Sequence, residues 1–319
     1  MQPSVNIRMR DTFIEAVTGR MERDESVMFL TADFGSPKLD ALIRRFPDRF
    51  VNVGIAEQNL VNVAAGLAIE GFKVVAYAIA PFLSMRCYEQ LRVNLCILSQ
   101  VRPMNVTLAG VGAGYSYDVS GPTHQALEDI SIMRTLPNMT VFSPADGATA
   151  RTLAEHCLSC PGIRYVRMDG KEVPDLLPAV TEADLDRGYR VILPGREVML
   201  VATGYMTHQA LAAARVLEQR GVQAGVVDVF TLAGRRQNLG TVLGGCKVVL
   251  SLEEGFCGRG GMDALLREEL WERSPGMKYR ALGLPHTYRF EIGSRQALLA
   301  DVGLSPERIA GHVESMMAE

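Results

Sequence analysis

A chain of 319 residues is long enough for about two domains, and 48% apolar against 22% charged residues supplies material for packed cores. The formal net charge of −3 offers no electrostatic basis for binding nucleic acid or an acidic membrane surface. Met1 to Thr12 carries no apolar signal core, and the most apolar run, Leu60 to Leu83, is interrupted by Glu70 and Lys73. The expectation is a cytoplasmic protein that meets neither nucleic acid nor membrane.

In chain order, short β-branched runs predict strands at Val27–Thr31, Phe50–Val53, Lys73–Ala78, Met104–Leu108, Thr140–Phe142 and Arg164–Val166. Apolar residues at helical spacing predict helices at Met9–Met21, Glu57–Glu70, Phe82–Leu98 and Gly147–Ser159. Such alternation implies an α/β domain with a mostly parallel sheet covered on both faces. Charges and prolines then replace the pattern from Asp169 to Arg187, which reads as a linker. Periodicity resumes with strands at Val198–Ala202, Gly225–Phe230, Cys246–Leu252 and Tyr279–Leu282, and helices at Thr207–Gln219 and Gly261–Arg273. The division is residues 1–175, a linker over 176–188, and a smaller α/β domain over 189–319.

Ligands of open parallel sheets bind beyond the carboxyl ends of the strands. Four stretches fall there: Thr31–Ser36, Gly54–Asn59, Ala80–Ser84, and the loop Gly110–His124. Glu57 opens a helix whose predicted apolar face is Leu60, Val63, Ala64 and Leu67. An acid in a first turn commonly just complements the helix dipole. Here Gly54, Ile55 and Ala56 are expected to shield it from water, and a poorly solvated carboxyl can share or donate a proton near neutrality. Gly110, Gly112 and Gly114 do not open a helix, so they lack the dinucleotide fingerprint. His124 reads as a loop residue poised at a helix start.

Other candidates keep plain readings. Cys157 and Cys160 form the only C-x-x-C, with no second pair at zinc spacing, so no metal site is expected. Gly255, Gly258, Gly260 and Gly261 precede a helix, but no P-loop Lys or Ser/Thr follows. His208 and His286 read as structural.

Together these residues resemble the carboxyl-terminal portion of transketolases and of 1-deoxyxylulose-phosphate synthase. N-V-G-I-A-E-Q-N from Asn52 is similar to the family segment bearing its catalytic glutamate, and S-G-P-T-H-Q-A-L-E-D from Ser120 to its substrate-histidine motif. R-T-L-P-N-M-T-V-F-S-P-A-D from Arg134 is similar to the segment that follows, and the likeness continues through Val226–Leu232 and Leu282–Tyr288. The resemblance implies a pyrimidine-binding thiamine-diphosphate domain followed by a transketolase C-terminal domain. It implies that Glu57 activates thiamine diphosphate and that Phe82 stacks on its pyrimidine, with Asp33 and Ile55 near the cofactor. His124 would meet the donor ketose, while Arg10 and Arg167 fall where family arginines hold an acceptor phosphate. Ser120 replaces an aspartate that reads an acceptor hydroxyl, with Asp118 two residues away. Ala109 stands in place of a phosphate-contacting histidine and Ile79 in place of a second aromatic.

The family's diphosphate and Mg2+ site is a G-D-G…N motif in an amino-terminal domain, and no G-D-G occurs here. The resemblance therefore implies an N-terminal transketolase subunit as partner, arranged with this chain as a dimer of heterodimers. The expected reaction is transfer of a two-carbon ketol unit from a sugar or sugar phosphate to an aldose. Two other readings compete: the beta subunit of a 2-oxoacid dehydrogenase or decarboxylase, and a non-catalytic scaffold. The T-H-Q-A-L-E-D stretch argues against the first, and joint retention of Glu57, Phe82 and His124 against the second.

Overall fold

A computed structural model describes residues 6–270 and 276–319. Its strands are β1 (Asn6–Arg8), β2 (Val27–Thr31), β3 (Phe50–Asn52), β4 (Lys73–Ile79), β5 (Asn105–Val111), β6 (Met139–Phe142), β7 (Gly162–Met168), β8 (Glu172–Pro174), β9 (Tyr189–Leu193), β10 (Val198–Ala202), β11 (Ala224–Val229), β12 (Thr231–Ala233), β13 (Val248–Phe256) and β14 (Lys278–Leu284). Seven form one sheet in the order β12-β6-β7-β5-β4-β2-β3, and five form a second in the order β14-β13-β10-β11-β9. All pairings in these two sheets are parallel except those of two edge strands, β12 against β6 and β9 against β11. The expected pair of mostly parallel α/β sheets is therefore observed.

Burial explains the strand sequences. Every residue of β2, β5 and β10 is buried, as both-face coverage requires, so their apolar character is continuous rather than alternating. Helices Met9–Met21 and Gly147–Ser159 cover one face of the larger sheet through Phe13, Ile14, Val17, Leu153 and Cys157. Helix Glu57–Ile69 and the helical stretch after β4 cover the other, through Leu60, Ala64, Leu83 and Leu91. That second layer runs without a break into Val201, Val227 and Val249 of the smaller sheet. No helix among the described residues is long and apolar enough to cross a membrane.

The chain runs from β2 to β3 on one side of β2, then crosses to β4 on the other. The order reverses beside β2, and the carboxyl ends of β2, β3 and β4 open the crevice where such sheets bind ligands.

The structure adds detail to several expectations. The stretch read as a linker carries regular structure: Glu172–Pro174 pairs antiparallel with Asn6–Arg8, and Glu182–Arg187 is a helix. A reciprocal capping box starts that helix, with Thr181 Oγ1 accepting from Asp184 N–H and the Asp184 carboxylate accepting from Thr181 N–H. Thr231–Ala233 belongs to the edge of the larger sheet although it follows the β11 strand of the smaller one. The stretch from Phe82 is no regular α-helix: Phe82–Arg86 and Leu91–Ile97 are π-helical, each turn accommodating extra residues. Helix Met262–Leu270 matches the expected element, whose predicted end at 271–273 lies outside the described residues.

Candidate active site

Glu57 is 2% exposed. The helix buries Glu57, Leu60, Val61, Ala64, Ala65 and Ala68, a stripe spaced three and four apart that begins with the glutamate itself. The observed face is rotated from the predicted one, since Val63 and Leu67 are only half-buried. The expected shield also differs in detail, because Ile55 is 76% exposed. Helix phase puts this carboxylate on the buried face.

A buried carboxylate requires a partner. Arg86 Nη1 donates to Glu57 Oε2 at 2.6 Å, and the same guanidinium lies over the Phe82 ring, 4.7 Å from its centre. The backbone at Arg86 is fixed by Gln58 Nε2, which donates to its carbonyl at 3.2 Å. His124 meets Phe82 edge-on, with ring centres 5.2 Å apart and planes inclined at 72°. Glu57, Arg86, Phe82 and His124 thus form one cluster drawn from the start of helix Glu57–Ile69, the π-helical turn Phe82–Arg86 and the glycine loop, at the carboxyl end of the sheet. Asp33 is tied to it indirectly. Its N–H donates to Asn52 Oδ1, and Asn52 Nδ2 donates back to its carboxylate, which joins the loop after β2 to the segment leading into Glu57.

The glycine loop needs its composition at two positions. A side chain at Gly110 would meet the Tyr165 ring at 2.7 Å, so β5 can pass over that ring only without one. Gly112 adopts φ +110°, where an L side chain is strained, and Tyr117 closes over it. His124 sits in a turn five residues before the helix Asp129–Arg134, not at its start. Thr123 Oγ1 lies 2.9 Å from its Nδ1. Ser120 is exposed at the loop tip. Asp118 does not substitute for it: its carboxylate accepts from Arg295 N–H at 3.0 Å and pairs with Lys171 at 2.7 Å.

Arg10 and Arg167 are not brought to the cluster. Arg10 donates to Asp11 at 2.9 Å and lies beside Tyr77 and Tyr117. Arg167, expected at an acceptor phosphate, is 2% exposed, and its hydrogen bonds are internal. Its Nε donates to Asp129 Oδ2 at 2.8 Å, and its Nη2 donates to the carbonyls of Ala126 and Glu254 at 2.9 and 2.8 Å. Asp129 also accepts from Tyr165 O–H at 2.8 Å. The final acid of the T-H-Q-A-L-E-D stretch therefore anchors the histidine loop to β7.

At the smaller domain, Glu253 and Glu254 have separate tasks. Glu253 accepts from the N–H groups of Met262 and Asp263, each at 3.0 Å, and burial pushes its carboxyl up to about 7. That acid fills the helix start that the nearby glycines make a candidate anion cradle. Glu254 pairs with the buried Arg295, which also pairs with Asp169 across the domain boundary. His208 Nε2 lies 2.8 Å from the Ala145 carbonyl in a buried setting, and His286 packs edge-on against Phe256.

Sequence reasoning missed Arg86 and the anchoring role of Asp129. The spacing Glu57, Val61, Ala64, Ala68 did carry the information that the glutamate shares the buried stripe. No local signal pairs Arg86 with a residue 29 positions earlier.

Residues 5–174 match the family described as "Transketolase, pyrimidine binding domain", and residues 188–309 match "Transketolase, C-terminal domain". This chain belongs to the transketolase family. It is 32% identical over 305 residues to a subunit of the apulose-4-phosphate transketolase of Actinobacillus succinogenes, covering 94% of each chain. It is 31% identical to 1-deoxy-D-xylulose-5-phosphate synthase of a Synechococcus strain, covering 95% of this chain and 46% of that one. Among solved structures it is similar to "Split gene transketolase, inactive beta4 tetramer", with 32% identity, a TM-score of 0.85 and coverage of 98% and 99%.

Within this transketolase-family chain, Glu57 and Phe82 suit the planar, nitrogen-rich end of thiamine diphosphate. A buried carboxylate beside an aromatic face already accommodates a planar N–H donor, the Arg86 guanidinium. The donor set fits the group that the family implies.

Proposed function

We propose that this chain is the C-terminal, beta-type subunit of a split transketolase, transferring a two-carbon ketol unit from a ketose or ketose phosphate to an aldose. The observation that carries the reading is the cluster in which Arg86 joins the buried Glu57 carboxylate to the Phe82 face, with His124 edge-on to that ring. When bound, thiamine diphosphate supplies the carbanion chemistry. Glu57 would hold a proton at the pyrimidine ring, Phe82 would fix that ring's plane, and Asp33 and Ile55 would border it. His124 would hydrogen-bond the donor sugar, and Ser120 and Arg10 would lie toward the acceptor. Burial of Arg167 and replacement of the usual aspartate by Ser120 favour an acceptor other than a common pentose phosphate.

The diphosphate and Mg2+ would be held by an N-terminal transketolase subunit carrying G-D-G…N. The observation that supports that division is near-complete coverage of a relative whose own name makes it one subunit of a transketolase. A dimer of heterodimers is the assembly that closes with twofold symmetry. The test is calorimetry of thiamine diphosphate with magnesium against the chain alone and against the chain co-expressed with such a partner. Binding and ketol transfer should require both polypeptides. Micromolar affinity for the chain alone would end the split-enzyme reading.

A further inference from the structure

The Glu57–Arg86 pair is lopsided. Its carboxylate side chain is 3% exposed and its guanidinium 45% exposed. A half-exposed arginine gains little from a surface contact. A carboxylate taken out of water is costly until a cation or donor meets it. The pair therefore exists for the needs of Glu57.

The way Arg86 meets that need is specific. A guanidinium is planar, presents N–H groups in its plane and stacks on aromatic faces. Arg86 uses both properties at once, donating to Glu57 at 2.6 Å while lying 4.7 Å over Phe82. These are the two contacts assigned above to the pyrimidine, one carboxylate and one ring face. A planar group that takes the same carboxylate oxygen and the same ring face competes with Arg86 for both. We propose that Arg86 is a placeholder: it occupies the pyrimidine subsite in the cofactor-free protein, keeps Glu57 paired and positioned, and must swing out when thiamine diphosphate enters. The swing needs side-chain rotation only, since the Arg86 carbonyl stays held by Gln58 and the Arg86 side chain already reaches solvent.

This rests on the proposed function, and it predicts an effect opposite in sign to that of an ordinary cofactor ligand. If a fraction of sites is closed by Arg86, the apparent dissociation constant is raised by the inverse of the open fraction. Removing the placeholder should tighten binding while making the cofactor-free protein less stable.

The experiment uses this chain reconstituted with its diphosphate-binding partner, as wild type, Arg86→Ala and Arg86→Lys. Thiamine diphosphate with magnesium is titrated by calorimetry, and thermal unfolding is followed without cofactor. Arg86→Ala should bind about tenfold more tightly and melt earlier than wild type. Arg86→Lys retains the charge but loses the planar stack, and should fall between them in both readouts; it also serves should Arg86→Ala fail to fold. Equal or weaker binding by the variants, with wild type binding normally, would overturn the placeholder and make Arg86 a bystander or a direct ligand. Absence of binding by every protein, wild type included, would overturn the proposed function and the placeholder with it.

Discussion

A helix places Glu57 at the head of a buried stripe, where a carboxylate is tolerated only with a partner, and the proposed chemistry rests on it. Glu57→Gln preserves shape and removes the proton-accepting group. Turnover of the reconstituted enzyme should fall by about 10²–10⁴, with exchange of the thiazolium hydrogen slowed in parallel and the fold unchanged. His124→Ala should raise KM for the ketose while that exchange stays near normal, since the contact proposed for it is to the sugar rather than to the cofactor. Nuclear magnetic resonance of quenched samples reads the exchange directly; fast exchange in both variants would remove Glu57 from its role. Asp129 is a different kind of residue. It binds Arg167 and Tyr165 in a fully buried setting, so Asp129→Ala strands a guanidinium and should cost about 3–5 kcal/mol in urea unfolding.

Among the elements, the loop Gly110–His124 is held by backbone shape as much as by side chains. Gly110→Ala drives a methyl group into Tyr165, which is fixed from its far end by Asp129. A loss of about 1–3 kcal/mol is expected, with the histidine loop displaced and KM for the ketose raised alongside. Unfolding midpoints and steady-state kinetics on the same preparation check both. The glycine pattern was legible in the sequence. Its reason was not, because Tyr165 lies far along the chain on a strand that only the sheet order brings beneath it. The irregular helical stretch after β4 shows the same limit. Apolar spacing reveals a helix, whereas the π-helical turns that set Phe82 and Arg86 depend on packing against helix Glu57–Ile69 and β4.

For the whole molecule, an ion-pair group crosses the domain boundary beside the shared apolar layer. Arg295, from the smaller domain, joins Asp169 of the larger to Glu254, and its backbone N–H meets Asp118 in the histidine loop. Nearby, Glu253 fills the start of helix Met262–Leu270. Its carboxyl rises from 4.5 to about 7, chiefly through burial, so the folded protein holds the proton longer than the unfolded chain does. A raised folded value means stability that is fully present below about pH 4.5 and lost progressively as pH climbs through 7. Glu253→Gln keeps one oxygen for one of the two helix N–H bonds, gives up the other and removes the titration. Its unfolding free energy should vary less between about pH 5 and 8 than that of the wild type, measured by denaturant titration across that range. An identical slope for both proteins would assign the pH dependence to other groups.

The sequence by itself determined the two α/β sheets, the order of most elements and the candidacy of Glu57, Phe82 and His124. These depend on local periodicity and on contiguous motifs, which a linear chain displays. Tertiary structure alone decided that Arg86 pairs with Glu57, that Arg167 is buried against Asp129, that Thr231–Ala233 completes the larger sheet and that Asp118 is committed to Arg295. Each of those outcomes joins residues far apart in sequence, and the physical reason is common to them. A buried charge or an open strand edge must find a partner somewhere, but composition and spacing do not say which distant group the fold will bring within hydrogen-bonding distance.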